Sequence, residues 1–165
     1  MPFNLIKTYN QLLEIAHLAE HERRASLLRI FKRDIEDNEN LHFRGKKINP
    51  IKGEDIPMHA LFRHLTTEII NEKTRERNFE IQRSVRLHWV KHHIEELKQG
   101  GVLIFSSQDT DGVRTYIFDE EENYVIVLLP YRSGQEYFLL TAYYLDGRNP
   151  KKIANKYKRR LPDIA

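Results

Sequence analysis

Residues 100–129, GGVLIFSSQDTDGVRTYIFDEEENYVIVLL, decide the fold. After the double glycine the apolar residues recur with a period of two, and many of them are β-branched or aromatic, as is typical of strands. This pattern predicts strands over 102–105, 113–118, 124–129 and 136–144, with turns at 109–112, 119–123 and 130–134. Because turns this short make neighbouring strands antiparallel, we expect a four-stranded antiparallel sheet.

The residues before the double glycine have helical periodicity instead. A long helix is predicted over 79–98 and ends at Gly100-Gly101, a common C-terminal signal. Further helices are predicted within 5–36 and over 58–71, with an irregular connection at 38–57 and a polar linker at 72–78. A short last helix is predicted over 148–160. The expected fold class is α+β: N-terminal helices followed by a long helix packed on the four-stranded antiparallel sheet.

Chain length and composition bound the domain organisation and the location. A chain of 165 residues can bury one core, and we divide it into a helical N-terminal extension, 1–75, and an α+β domain, 76–165. The absence of cysteine excludes disulfides, thiolate zinc sites and a thiol nucleophile. No apolar run approaches the roughly 20 residues of a membrane span, and no secretory signal pattern is present. A cytoplasmic location without membrane contact is therefore expected.

Positive charge is concentrated near the end of the chain, although the net charge is only +3. The stretch 148–160 contains seven basic residues and no acidic one. Such a segment can bind phosphates, and it can equally be a solvated terminus. With the basic connection near residue 45, it provides the predicted RNA-binding residues: Lys46, Lys47, Arg148, Lys151, Lys152 and Lys156.

The predicted long helix carries the most ionisable groups, among them Arg83, Arg86 and His88. His88 and His92 are four residues apart, which can supply two zinc ligands, but no glutamate follows the first histidine as in the zinc protease motif. No metal and no other cofactor is therefore predicted. The alternatives are buried structural histidines or a group that performs acid–base chemistry near neutral pH.

The predicted sheet adds a guanidinium and hydroxyls from adjacent strands, at Arg114, Tyr116, Thr141 and Tyr144. Metal-free RNA cleavage needs a base for the 2′-hydroxyl proton, an acid for the leaving 5′-oxygen, and donors or cations for the phosphate. Threonine and tyrosine are also ordinary strand residues, so these positions have a purely structural alternative.

The order Arg83-x-x-Arg86-Leu87-x-Trp89, a helix, three strands and then Thr141-Ala142-Tyr143 resembles the phage-type members of the barnase, EndoU, colicin and RelE (BECR) nuclease superfamily. The resemblance covers about residues 79–160. It implies a small nuclease fold that cleaves RNA without a metal and often acts as a toxin. RNA is the implied partner, and an inhibitor protein or a second copy of the chain are further candidates.

Carried over by position, the resemblance implies these catalytic residues: Arg83, Arg86, His88, Arg114, Tyr116, Thr141 and Tyr144. Our interpretation makes His88 the acid–base group, the arginines phosphate contacts, and Thr141 a positioning hydroxyl. Two alternatives remain open. The spacing Arg83-x4-His88 resembles the motif of the all-helical HEPN ribonucleases, and the chain can be a noncatalytic RNA-binding or protein-interaction module on the same fold.

Overall fold

The computed structural model describes residues 2–50, 56–145 and 150–165. The helices are α1 (Glu20–Phe31), α2 (Pro57–Thr66), α3 (Ile81–Ser84), α4 (Trp89–Ile94) and α5 (Lys151–Lys158). A 3-10 turn at Pro2–Ile6 precedes α1, and a π-helical turn at Lys32–Glu36 continues it. The strands are β1 (His42–Phe43), β2 (Lys46–Asn49), β3 (Thr67–Asn71), β4 (Glu76–Phe79), β5 (Val102–Asp109), β6 (Gly112–Asp119), β7 (Tyr124–Tyr131) and β8 (Glu136–Tyr144).

The main sheet is mixed and has six strands in the order β1-β2-β8-β7-β6-β5. Strands β5 to β8 form an antiparallel meander. Strand β2 then pairs in parallel with the beginning of β8, opposite Glu136, Tyr137 and Phe138, and β1 pairs antiparallel with β2. Strands β3 and β4 form a separate two-stranded hairpin.

These observations confirm the α+β class and correct the architecture. The predicted four-stranded antiparallel sheet is wrong, because the connection predicted at 38–57 contributes β1 and β2 to the sheet. The helix predicted over 58–71 ends at Thr66 and continues as β3, and the polar linker predicted at 72–78 contains the turn of the hairpin and part of β4. The short helix predicted over 148–160 is confirmed by α5.

The long helix predicted over 79–98 is also wrong, because the chain forms only the short α3 and α4 there. Between them the backbone makes tighter turns, with Leu87 N donating to Ser84 O at 3.1 Å and Trp89 N donating to Arg86 O at 2.9 Å. Residues 84–90 are all buried. Packing on every side therefore sets the local backbone geometry and overrides the helical pattern.

The main sheet is covered on both faces. On the helical face, Ile117, Ile126 and Leu139 belong to the larger core, together with Leu27 of α1 and Leu61 of α2. On the other face, which we call the α5 face, the smaller cluster is Phe105, Tyr116, Phe118, Val125, Val127, Leu145 and Ile153. The larger core combines residues from both sides of position 75, and the division of the chain at that position stays a prediction.

The chain after α5 crosses the outer edge of β5. Leu161 N donates to Ser106 O at 2.8 Å, and Ala165 N donates to the Ser106 hydroxyl at 2.8 Å. The Thr115 hydroxyl in turn donates to Ala165 O at 3.1 Å. These bonds fasten the segment that follows α5, so α5 is held on the sheet from both its apolar side and its C-terminal end. No helix within the described ranges has the length and apolar character needed to cross a membrane.

A buried carboxylate joins the N-terminal segment, α4 and β6. Asp119 is fully buried, and its Oδ2 accepts from the Tyr9 hydroxyl at 2.6 Å and lies 2.9 Å from His93 Nε2. Lys98 Nζ donates to Asp119 Oδ1 at 2.9 Å. Since the other ring nitrogen of His93 lies 2.9 Å from the Trp89 carbonyl, both of its nitrogens face acceptors.

We predict that Asp119→Asn lowers the free energy of unfolding by about 3 to 5 kcal/mol, because it removes the charge that pairs with Lys98 and replaces one of the two buried acceptor oxygens by an NH2 donor. Urea denaturation at pH 7 measures this change. Asp111→Asn, in the exposed turn before β6, is the matched control and should change stability by less than about 0.5 kcal/mol. Equal effects of the two substitutions would contradict the assignment.

The same carboxylate predicts how stability depends on pH. Burial alone raises the pKa of Asp119, but hydrogen bonds from His93, Tyr9 and Lys98 outweigh burial and hold this pKa well below its ordinary value. The stabilisation is therefore complete above the pKa of an unfolded aspartate, about 3.9, and is lost as the pH falls toward the folded-state pKa. Unfolding curves should show a steeper acid loss for the native chain than for Asp119→Asn.

Candidate functional site

A cleft lies beside β8, beyond the short stretch of β8 that pairs with β2. The pairing of β7 with β8 shifts between Leu139 and Thr141, so β8 bulges at Leu140. Helices α2 and α3 pack along β8, and with the β3–β4 hairpin they border an open cleft of about 340 Å³. We call it the arginine cleft, and its lining residues are His64, Glu68, Ile69, Arg77, Arg83, Thr141 and Tyr143.

Arg83 binds the C-terminal end of α2. Its Nη1 lies 2.7 Å from His64 O and 2.8 Å from Thr67 O, where the last turn of the helix leaves carbonyls without intrahelical partners. The Thr141 hydroxyl donates to the same His64 carbonyl at 3.2 Å and lies 3.4 Å from Arg83 Nη1. The Glu80 carboxylate caps α3 by accepting from Arg83 N at 2.8 Å. The helix end, the bulge in β8 and the cap thus position one guanidinium.

A second guanidinium meets the first at the carbonyl of Thr67. Arg77 Nε donates to the Thr67 hydroxyl at 2.7 Å, and Arg77 Nη2 donates to Thr67 O at 3.0 Å, the oxygen that Arg83 also binds. Within the described part of the chain, the hydrogen bonds of both guanidiniums go to carbonyl and hydroxyl oxygens and not to carboxylates. Two cations are therefore held close together by neutral acceptors.

The electrostatics of the cleft favour a bound anion. Burial, followed by repulsion from Arg83, Arg63 and Arg75, lowers the pKa of Arg77. Burial also lowers the pKa of Arg83, and the charges of Glu80 and Glu68 offset part of this effect. The Nε of Arg83 has no hydrogen-bond partner among the described residues, but it is buried and does not face the open side of the cleft. A phosphate in the cleft would relieve the repulsion and accept from the guanidiniums.

The cleft also contains two groups suited to proton transfer, His64 in the last turn of α2 and Glu68 near the start of β3. The sequence analysis did not select them, because the pattern over 58–71 predicted an uninterrupted helix. The missed signal is the β-branched pair Thr66-Thr67, which is typical of a strand start and follows the apolar stripe of α2 directly.

Of the predicted catalytic residues, the structure brings Arg83 and Thr141 together in the cleft. Arg86 instead lies over the Tyr144 ring, with 3.7 Å between its Cζ and the ring centroid, and its Nη1 donates to Gln82 O at 2.7 Å. Arg86 is only 7% exposed, and burial lowers its pKa. Neither Arg86 nor Tyr144 lines the arginine cleft.

His88 is also placed away from Arg83. Its Nε2 lies 3.0 Å from the Thr8 carbonyl, so this nitrogen carries the hydrogen, and burial lowers the pKa of the ring below its ordinary value. His92, four residues on, stacks on Tyr9 with 4.4 Å between ring centroids. The pair Arg83 and His88 therefore does not form one site, and the sheet does not fit the all-helical fold that this spacing implies.

Tyr116 and Arg114 lie on the α5 face. The Tyr116 hydroxyl donates to Asp109, and burial together with this bond raises the pKa of Tyr116 far above its usual value. Lys156 Nζ, a predicted RNA contact, lies 2.8 Å from the other oxygen of Asp109. Arg114 Nη1 donates to the neighbouring Val113 carbonyl at 3.1 Å. These residues form a separate polar group.

The remaining predicted RNA contacts are surface residues. Lys46 and Lys47 lie on β2, where Lys46 Nζ is 5.6 Å from the centroid of the Tyr137 ring. Lys151 and Lys152 are exposed at the start of α5. Arg148 lies outside the described residues. The role of this set in RNA binding stays a prediction.

Across residues 2–50, 56–145 and 150–165, no three histidine, aspartate or glutamate side chains are grouped so as to hold a metal ion. Comparison of the chain with models of protein families, with curated proteins and with solved structures finds no match.

We predict that inorganic phosphate stabilises the folded chain by binding in the cleft. At ten times its Kd, a ligand that binds only the folded state adds about 1.4 kcal/mol to the free energy of unfolding. Thermal unfolding with increasing phosphate measures this shift against chloride at equal ionic strength. Arg77→Gln should remove most of the shift, whereas Arg29→Gln, exposed on α1, should retain it. An equal shift in both variants would contradict an anion site in the cleft.

Proposed function

We propose that this chain is a metal-independent ribonuclease that acts in the arginine cleft. The observation that supports the proposal is that Arg77 and Arg83 both donate to one neutral oxygen, Thr67 O. The distances to this oxygen are 3.0 Å from Arg77 Nη2 and 2.8 Å from Arg83 Nη1. Planar guanidiniums match the geometry of phosphate oxygens and retain their charge at all physiological pH values. The proposal keeps Arg83 and Thr141 from the sequence analysis and adds His64, Glu68 and Arg77.

Each group has a role in cleavage by the neighbouring 2′-hydroxyl. Glu68 accepts the 2′-hydroxyl proton as the 2′-oxygen forms a bond to phosphorus. The bond from phosphorus to the 5′-oxygen breaks, and His64 donates a proton to that leaving oxygen. The products are a 2′,3′-cyclic phosphate and a 5′-hydroxyl. Arg77 and Arg83 stabilise the extra negative charge on the phosphate oxygens in the transition state, which is the main electrostatic requirement of the step.

The arginines supply the charge stabilisation that a metal ion supplies in other nucleases. Thr141 positions the site, because its hydroxyl links the bulge of β8 to His64 O at 3.2 Å. A shift of this hydroxyl would move the end of α2 and with it the imidazole of His64.

We predict that the purified chain cleaves single-stranded RNA in the presence of EDTA and leaves cyclic phosphate ends. His64→Gln should lower kcat by about 100-fold or more, because glutamine keeps a polar side chain but cannot transfer the proton. His59→Gln is the matched control, since His59 is exposed on the same helix and does not line the cleft. Cleavage rates and mass analysis of the cut ends provide the measurement.

Arg83→Lys tests the phosphate contact while keeping the charge, and it should lower kcat by about 100-fold because a lysine cannot reproduce the planar pair of donors. Arg29→Lys controls for the exchange itself. Cleavage that EDTA abolishes, or that survives His64→Gln unchanged, would contradict the proposal. Salt-sensitive RNA binding without cleavage would instead favour the noncatalytic module.

A further inference from the structure

The outer side of α5 is a basic surface that the sheet leaves exposed. Ile153 and Tyr157 face the sheet, whereas Lys152, Lys158 and Arg159 are exposed. At about 100° per residue, these three cations fall within an arc of about 120° on the side away from Ile153. No acidic residue occurs between Pro150 and Pro162, so no side chain within this segment neutralises the surface.

Tyr143 connects this surface with the arginine cleft. Its ring lines the cleft, with the Arg83 Cζ 5.9 Å from its centroid, and the same side chain packs against the cluster that contains Ile153, as Tyr157 of α5 also does. The Tyr143 hydroxyl also interacts electrostatically with Asp109, the partner of Lys156. The arginine cleft thus lies at the β8 edge of the sheet, Tyr143 extends from it onto the α5 face, and α5 packs on the same face nearer to β5.

We propose that single-stranded RNA whose scissile phosphate lies in the arginine cleft continues over Tyr143 and binds the basic surface of α5, formed by Lys152, Lys158 and Arg159. The proposal rests on the proposed function and names its substrate class: RNA strands long enough to reach α5. Single-stranded RNA is the expected form, because an unpaired base can stack on the part of the Tyr143 ring that is exposed and the cations can contact a single backbone.

The binding free energy of a long RNA has one contribution from the arginine cleft and a second from the cations of α5. The cations of α5 contact phosphates without reading the bases, so each of them contributes to affinity through counterion release. Loss of one such contact to a single strand lowers the slope of log K against log salt by about 0.7. Substrates that end at the cleft lack this contribution. The preference for long RNA over short RNA therefore measures how much the α5 surface contributes to binding.

The test compares two triple variants with the same change of charge. The α5 variant is Lys152→Gln, Lys158→Gln and Arg159→Gln. The control is Arg24→Gln, Arg29→Gln and Lys32→Gln, at exposed positions of α1 and of the π-helical turn that continues it, on the opposite, helical face. Binding of a non-cleavable 2′-O-methyl RNA of about twelve nucleotides is titrated over a range of salt concentrations. The slope should fall by about 2 in the α5 variant and by less than about 0.5 in the control.

A cleavage assay provides the second measurement. The ratio of kcat/KM for the long RNA to kcat/KM for a dinucleoside monophosphate should fall at least tenfold in the α5 variant and should stay constant in the control. Equal slopes in the two variants, or no binding of the 2′-O-methyl RNA, would overturn the proposal. Absence of cleavage of both the long RNA and the dinucleoside monophosphate, together with the expected difference in slope, would instead refute the ribonuclease and leave the RNA surface in place.

Discussion

The guanidinium of Arg83 is the contact on which both the local fold and the candidate site depend. Its Nη1 binds His64 O at 2.7 Å and Thr67 O at 2.8 Å, so it joins the end of α2 and the start of β3 to α3. The Thr141 hydroxyl adds the bulge of β8 to the same point. Because a helix end, a hairpin and the main sheet converge on this cation, the cleft has a defined shape before any ligand enters it, which is the preorganisation that electrostatic catalysis requires.

Much of the sheet was predictable from local pattern. The apolar alternation after Gly101 located β5 to β8, because antiparallel hairpins are determined by residues close together in sequence. The parallel pairing of β2 with β8 joins Ile48 to Tyr137 and has no local signal, so it could not be found in the same way. The prediction of a long helix was wrong for a related reason. Apolar residues occur on both sides of the predicted helix, and such a pattern fits a buried segment of any geometry. Contacts with distant parts of the chain, such as the bond from Trp89 Nε1 to Gln11 O, determine the turns that form there.

The residues of the candidate site were likewise predictable only where the local sequence pattern is strong. Arg83 and Thr141 were found because they belong to elements with strong patterns, and the structure brings them within 3.4 Å of each other. Arg77 and Glu68 were missed because the hairpin of β3 and β4 is short and polar and has almost no alternation, and His64 was missed because the end of α2 at Thr66 was not recognised. The selected Arg86 and His88 show the opposite error. Ionisable residues on a central segment can be structural, and burial lowers the pKa of both groups.

The central claim, that a phosphate group binds between Arg77 and Arg83, is tested most directly by NMR on the ¹⁵N-labelled chain. A non-cleavable 2′-deoxy dinucleotide is titrated while the Nε–H signals of the arginine side chains are followed. The account predicts saturable shifts of the Arg77 and Arg83 signals with a single common Kd, and no shift for Arg29. Shifts confined to other arginines, with the Arg77 and Arg83 signals unmoved at saturation, would contradict it.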